Sequence, residues 1–120
     1  MKNMELLLSI KLDNPEKIST NRMYSGMHWT KRNAIKDVYH YAMLSFRKHK
    51  ITEYPVTIKY TFTWKSKALD SLNCAFSAKM CEDGLRACGV LVDDNPKYVV
   101  ESSLRTIPGP SDTIQIDIYK

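Results

Sequence analysis

A chain of 120 residues, 43% hydrophobic and 26% charged, predicts one compact domain over residues 1–120 and argues against a disordered or multidomain protein. Its 18 Lys and Arg against 13 Asp and Glu give a net charge of +5, which favours a polyanionic partner. No apolar run approaches the roughly 20 residues that span a bilayer, so no membrane segment is expected. Three cysteines without a C-x-x-C pair or a signal peptide favour the reducing cytoplasm.

The N-terminal half predicts a strand, a loop and a helix. Apolar residues alternate from Met4 to Leu12, which is typical of a strand with one buried face. Residues 13–28 contain turn-forming Asp, Asn, Pro, Ser and Gly and predict a loop. Thr30 fits the N-cap of a helix that runs to about Lys48, with apolar residues at helical spacing at Ile35, Val38, Ala42 and Phe46.

The C-terminal half predicts a strand, a helix and two more strands. Apolar residues alternate with Thr and Lys over residues 56–65. A second helix is expected over residues 71–87, ended by Gly89, and final strands near 97–106 and 113–119. The order β-α-β-α-β-β predicts an α+β fold with two layers, in which one mixed β-sheet carries its helices on one side.

The three cysteines, Cys74, Cys81 and Cys88, lie seven residues apart, which places them near one face of the second predicted helix. One helix cannot wrap three thiolates at that spacing around a tetrahedral ion. We therefore expect them to be small buried apolar residues.

Carboxylates stand at both ends of the same predicted helix. Asp70 precedes it, and Asp93 and Asp94 follow it in a turn, so the acids could converge beside an otherwise basic surface. Hydrolysis of phosphodiesters with Mg²⁺ or Mn²⁺ needs such converging carboxylates, because hard cations take oxygen ligands. The residues alone also allow simpler roles, in which Asp70 is an N-cap paired with Asn73 and residues 93–96 form a polar turn.

Two stretches carry a resemblance to a known family. The first is residues 21–32, where an Asn, an aromatic residue, a His-Trp pair and a basic helix start follow one another. The second begins with a D-x-x-N motif, formed by Asp70 and Asn73. It continues through Lys79, Asp83-Gly84-Leu85, Gly89-Val90-Leu91, Asp93-Asp94 and Lys97-Tyr98-Val99. Together with the chain length and element order, this succession resembles the RusA family of Holliday junction resolvases, including phage-borne members, over essentially the whole chain.

The resemblance implies a cytoplasmic homodimer, in a bacterium or a phage-infected cell, that acts in DNA recombination and repair. It would bind four-way DNA junctions and nick two strands symmetrically with Mg²⁺ or Mn²⁺. By the same resemblance, Asp70 and Asp94 match catalytic metal-binding aspartates, with Asp93 as their neighbour. Lys79 resembles the family's helix lysine, which would offset phosphate charge or assist cleavage. The alternative for Lys79 is a solvated partner of Asp83.

One position departs from the family's usual D-x-D-N motif. Leu72 stands where the second aspartate is expected, and leucine cannot bind a hard cation. Three outcomes are open: Asn73 supplies a carbonyl oxygen, Asp70, Asp93 and Asp94 hold the metal with more waters, or cleavage is lost and junction binding remains.

The candidate DNA contacts are mostly basic. Phosphate contacts position a protein without reading sequence, and solvated surface charge is their alternative. Trp29 is expected either to pack or to lie at the DNA or dimer surface, and a small basic module for RNA or a protein partner is the competing function. The candidates are Arg22, Lys31, Arg32, Lys65, Lys67 and Asn73.

Overall fold

The alternating apolar segments assemble into one four-stranded mixed sheet in the computed structural model, which describes residues 4–120. Residues 1–3 of the predicted domain lie outside the described residues. The strand order is β1-β4-β2-β3, with β4 antiparallel to both neighbours and β2 parallel to β3. The elements are β1 (Leu6–Asp13), α1 (Thr20–Tyr24), α2 (Trp29–Met43), β2 (Val56–Trp64), α3 (Ala75–Ala87), β3 (Val99–Pro108) and β4 (Thr113–Tyr119), with 3₁₀ turns at Leu44–Phe46 and Leu72–Cys74.

The α+β class and the mixed sheet are thus confirmed. Strand β2 is central, and each of its alternate apolar residues, from Val56 to Trp64, is at most 2% exposed. This buried face packs against the helices, as the hydrogen bond from Tyr60 of β2 to Glu82 of α3 shows. Residues between them, such as Lys59 and Thr61, lie on the opposite, partly exposed face. The period of two in the sequence therefore sets which side of the sheet receives the helices.

Helices α2 and α3 approach closely over this face. Gly84 makes the approach possible, because a Cβ there would lie 2.8 Å from Cγ of the fully buried Met43. The Tyr39 hydroxyl is shared between Oγ of Ser77 at 2.8 Å and the Glu16 carbonyl. Burial raises the Tyr39 pKa, so the phenol stays protonated and holds the helices together.

The prediction of a loop over residues 13–28 is wrong at its centre, where α1 forms. Ser19 caps this helix by accepting a hydrogen bond from the Arg22 backbone N–H at 3.1 Å. Met23 is fully buried and anchors the helix to the core. A five-residue helix shows too little of the 3.6-residue period to stand out in the sequence.

The first long predicted helix is shifted in its ends and its buried face. His28 rather than Thr30 is the N-cap, and α2 ends at Met43 instead of continuing to Lys48. Val38 was expected inside but is 53% exposed. The buried residues are Ile35, Tyr39 and Met43, because Tyr39 can bury its ring once its hydroxyl has partners.

Three smaller differences concern element ends. In β1, Leu6 is 51% exposed, since β1 is an edge strand with an irregular register at Leu6 to Leu8. The second predicted helix begins at Ala75 after a 3₁₀ turn, although Gly89, at φ +85°, follows its end as expected. Strand β3 runs two residues later than predicted. No helix among residues 4–120 has both the length and the apolar character to cross a membrane.

Candidate functional site

The two stretches that carry the family resemblance contact each other. The Thr20 hydroxyl donates to the Asn73 carbonyl at 3.1 Å and accepts the Phe76 backbone N–H at 3.0 Å. The Asn21 backbone N–H donates to Oδ1 of Asn73 at 3.3 Å. Helix α1 is therefore attached to the turn before α3. Sequence reasoning missed Thr20, although a Ser-Thr pair inside a supposed loop is a signal for a helix start.

Asp70 and Asn73 form a local hydrogen-bonded turn. Oδ1 of Asp70 accepts the Asn73 backbone N–H at 3.0 Å, and Oδ2 accepts Nδ2 of Asn73 at 3.4 Å. The local hydrogen-bond pattern considered for Asp70 and Asn73 is thus present, although Ser71 and Cys74 occupy the N-cap positions of the 3₁₀ turn and of α3. Leu72 lies in the same turn and is 79% exposed, which places a large apolar group in solvent between the two polar residues.

Lys79 lies between two carboxylates. Its Nζ is 3.1 Å from Oδ1 of Asp83 and 3.4 Å from Oδ2 of Asp94. The carboxylates are only 17% and 23% exposed, whereas the lysine side chain is 58% exposed. Lys79 is therefore both the predicted partner of Asp83 and a direct neighbour of Asp94.

The pKa values of this group follow from its contacts. The hydrogen bond to Asp83 is the main cause that raises the Lys79 pKa, against partial burial. Burial acts to raise the Asp94 pKa, but the hydrogen bond and charge of Lys79 outweigh it and hold that pKa below its ordinary range. Both groups are therefore charged at neutral pH.

Asp93 shapes the turn that carries Asp94. Its Oδ1 accepts the Asp94 backbone N–H at 2.8 Å, and its Oδ2 accepts Nδ2 of Asn95 at 3.2 Å. Oδ1 of Asn95 in turn accepts the Lys97 backbone N–H at 2.9 Å. The polar-turn role is met by Asp93, and the turn directs the Asp94 carboxylate towards α3.

The arrangement of these carboxylates can be compared with what a divalent-cation site requires. Within the described part of the chain, no hydrogen bond or ion pair joins Asp70 to Asp93 or Asp94, and no three His, Cys, Asp or Glu side chains form a group that could hold a metal. The donors do fit Mg²⁺ or Mn²⁺ in chemistry, since all are carboxylate oxygens. Mg²⁺ often takes only one or two protein carboxylates and completes its coordination with water and substrate phosphate.

Positive charge is concentrated in residues 17–36, named here the basic segment. It contains five basic residues and no acidic one, so its charge of +5 equals the net charge of the whole chain. Arg22 and Lys31 line an open pocket of about 350 Å³ between α1 and α2. Arg32 instead donates from Nη2 to the Met27 carbonyl at 3.2 Å, so part of its guanidinium supports the connection between the two helices.

The other two predicted phosphate contacts lie apart from this pocket. Lys65 and Lys67 are exposed in the connection between β2 and α3. The Lys65 backbone N–H donates to Oδ1 of Asp112 at 2.9 Å. Their connection leads into the Asp70 turn, which Thr20 and Asn21 of the basic segment also contact.

Two features of α3 complete the surroundings of Lys79. Glu82 accepts hydrogen bonds from the Tyr60 hydroxyl at 2.9 Å and from the Ser102 hydroxyl at 3.0 Å. Cys74 and Cys81 are buried as predicted, whereas Cys88, also expected to be buried, is half-buried. Burial raises the pKa of Cys81 to about 12, so its thiol is unreactive. The polar side of α3 thus divides into a sheet contact at Glu82 and the ion pairs of Lys79.

Comparison with known proteins adds no relative to this description. No protein-family model matches the chain, and a search of curated proteins finds no significant match. The case for a function therefore depends on these residues and their geometry.

Proposed function

We propose that the protein binds four-way DNA junctions as a homodimer and cleaves them by metal-dependent phosphodiester hydrolysis. One observation carries the proposal: the basic segment, which holds charge equal to the chain's entire net +5, is bonded through Thr20 and Asn21 to the Asp70–Asn73 turn. A DNA backbone attracted to this segment would lie next to the candidate catalytic turn. The four-way junction and the dimer are added by the resemblance to the RusA family.

The proposal gives each group a role that suits its chemistry. Arg22 and Lys31 would bind phosphates, and Asp70 and Asp94, with Asp93 beside them, would offer oxygen donors to Mg²⁺ or Mn²⁺. The metal would supply an activated water and neutralise charge on the phosphate. The Lys79 ammonium, already held against Asp94, would offset phosphate charge at the same place.

A synthetic four-way junction with labelled strands tests cleavage. Incubation with Mg²⁺ or Mn²⁺ should give symmetrical paired nicks, and Asp94→Asn should reduce the rate by about a hundredfold or more, as expected when a group needed for charge stabilisation is lost. Asp37→Asn, an exposed acid on α2, is the matched control and should cleave normally. Wild-type protein that shifts the junction in gels but never nicks it with any divalent ion contradicts the enzymatic part.

Binding without cleavage is the second candidate, and the exposure of Leu72 favours it. A leucine that is 79% exposed at the expected ligand position contributes no donor and little packing. Leu72→Asp should therefore fold normally. If nicking appears in Leu72→Asp but not in wild type or Leu72→Asn, the natural chain is a junction-binding protein with an incomplete site. Failure to shift any branched DNA at low salt would contradict both candidates and favour another partner.

A further inference from the structure

We infer that the surface formed by α1 and the start of α2 binds unpaired nucleotides at the branch point, with Trp29 and Tyr24 stacking on bases and Arg22 and Lys31 holding the adjoining phosphates. The inference rests on the proposed DNA function and adds to it which part of the DNA is held. It assigns recognition to a surface of aromatic and cationic side chains rather than to the carboxylates.

Two large aromatic side chains stand exposed at this surface. Trp29 is 64% exposed and Tyr24 is 68% exposed, whereas Trp64 is 2% exposed. Each exposed ring contacts one aromatic neighbour. The Trp29 ring lies beside His28 with 5.7 Å between centroids and 30° between planes, and Tyr24 meets Phe76 edge-on at 6.3 Å. Each ring is thus positioned by one aromatic neighbour while much of its surface remains free, which lowers the entropic cost of stacking on a ligand.

The pocket between the two helices supplies positive charge that is complementary to the phosphates of DNA. It is open, has a volume of about 350 Å³ and includes no acidic residue in its lining. Among the ion pairs formed within residues 4–120, none involves Arg22 or Lys31. Their charges are therefore not neutralised by a nearby carboxylate. The lining residues are Arg22, Ser25, Gly26, Met27, His28 and Lys31.

Exposed rings beside free cations fit unpaired DNA better than duplex DNA. Within a duplex the base faces are covered by neighbouring base pairs, so a tryptophan has no free face to stack on. Single strands expose those faces, and stacking on them is tolerant of sequence because every base has a π-face. A branch point is where a junction can offer such unstacked bases.

Tyr41 provides the contrast within the same helix. It is 79% exposed, but it lines a mainly apolar groove that also contains Asp37. The groove beside Tyr41 contains no lysine or arginine, whereas His28, which supports the Trp29 ring, lines the same pocket as Arg22 and Lys31. Tyr41→Ala is therefore a control for loss of an exposed aromatic side chain.

The tryptophans allow a direct test by intrinsic fluorescence. Because Trp64 is buried, a bound base should quench Trp29 alone, so oligo(dT) should quench emission and Trp29→Phe should abolish that change. A blunt duplex of equal length should quench much less. In junction binding measured with the purified full chain, Trp29→Ala should weaken affinity roughly tenfold. Trp29→Phe should stay within about twofold of wild type because it can still stack, and Tyr41→Ala should be unchanged.

The outcomes separate this inference from the function on which it rests. If Trp29→Ala and Tyr24→Ala bind the junction as tightly as wild type, the inference is overturned while junction binding stands. Equal quenching by duplex and single strand also overturns it. If no form of DNA binds, the proposed function fails and the inference fails with it. An unchanged melting temperature for Trp29→Ala will show that lost affinity is not lost folding.

Discussion

The basic segment and the Lys79 cluster hold their charges in different ways. In the basic segment, Arg22 and Lys31 line an open pocket, and neutral groups such as the Thr20 hydroxyl and the buried Met23 side chain attach the segment to the core. In the Lys79 cluster, one ammonium lies within ion-pair distance of two carboxylates that are largely shielded from solvent.

The comparison indicates that the groups that attach the basic segment to the core differ from the groups available to bind a partner. Charges that pair with one another, as around Lys79, are partly neutralised before any partner arrives. Charges on a segment attached by neutral hydrogen bonds remain available to a polyanion, and each phosphate they contact releases counterions. Substitution of Thr20 should therefore change the stability of the fold, whereas substitution of Arg22 and Lys31 should change affinity for DNA.

Removing the Thr20 hydroxyl should have the largest effect on folding. Thr20→Val leaves the backbone N–H of Phe76, a residue 3% exposed, without its 3.0 Å acceptor. An unsatisfied buried donor costs about 1–3 kcal/mol, and urea unfolding measures that loss. Thr30→Val, at an exposed position of α2, is the matched control and should change little. A loss below about 0.5 kcal/mol for Thr20→Val would mean that the Thr20 hydroxyl contributes little to the attachment of α1.

The predictability of the fold followed the strength of each periodic pattern. Strands β2 and β4 were predicted correctly because apolar residues alternate with polar ones along each of them. In β4 the buried residues are Ile114, Ile116 and Ile118. Helix α1 was missed because five residues with one buried side chain show almost no helical periodicity of apolar residues. In α2 the buried face was misassigned, since Tyr39 is inside only because Ser77 and Glu16 partner its hydroxyl, and those contacts are not local in sequence.

The candidate site was predictable in part for the same reason. The spacing of Lys79 and Asp83 already indicated a contact within one helix. The contact of Lys79 with Asp94, fifteen residues away, depends on how the chain returns from α3 to the sheet. The attachment of Thr20 to Asn73 spans fifty-three residues, so only the folded chain can reveal it. Whether Asp70 and Asp94 share a cation stays a prediction.

Removing the free charges of the basic segment should affect DNA affinity next most strongly. Arg22→Ala with Lys31→Ala should weaken junction binding roughly tenfold, about 1.4 kcal/mol, because two phosphate contacts are lost. The slope of log affinity against log salt should fall in magnitude by nearly two. Titrations at several salt concentrations measure both quantities.

An equal change of charge elsewhere serves as the control for that prediction. Lys48→Ala with Lys97→Ala removes two exposed cations outside the basic segment and should leave the salt slope nearly unchanged. The Arg22 and Lys31 substitutions should change the free energy of unfolding by no more than about 0.5 kcal/mol. Equal effects of the two pairs on affinity would show that net charge, not the pocket, governs binding.

The smallest loss of stability is expected in the Lys79 cluster, although substitution of Lys79 removes a charge from two ion pairs. Lys79→Met keeps the aliphatic stem, and because the lysine side chain is 58% exposed the loss in stability at neutral pH should be no more than about 1 kcal/mol. Thr20→Val should therefore cost more than Lys79→Met. The reverse order would mean that charge pairing, rather than neutral attachment, dominates stability at this end of the molecule.

The pH dependence of the Lys79→Met effect distinguishes charge from packing. The folded pKa of Asp94 is lowered, so its contribution is present above the unfolded value of about 3.9 and is lost as pH falls through the folded pKa. The Lys79 pKa is raised, so its contribution is present below about 10.4 and is lost as pH rises through the folded value. The stability difference between wild type and Lys79→Met should thus be flat from about pH 5 to pH 9 and shrink on acidification. Urea unfolding at pH 7 and near pH 3 measures it, and a difference of equal size at both would mean that the loss does not come from the ion pairs of the Lys79 ammonium with Asp83 and Asp94.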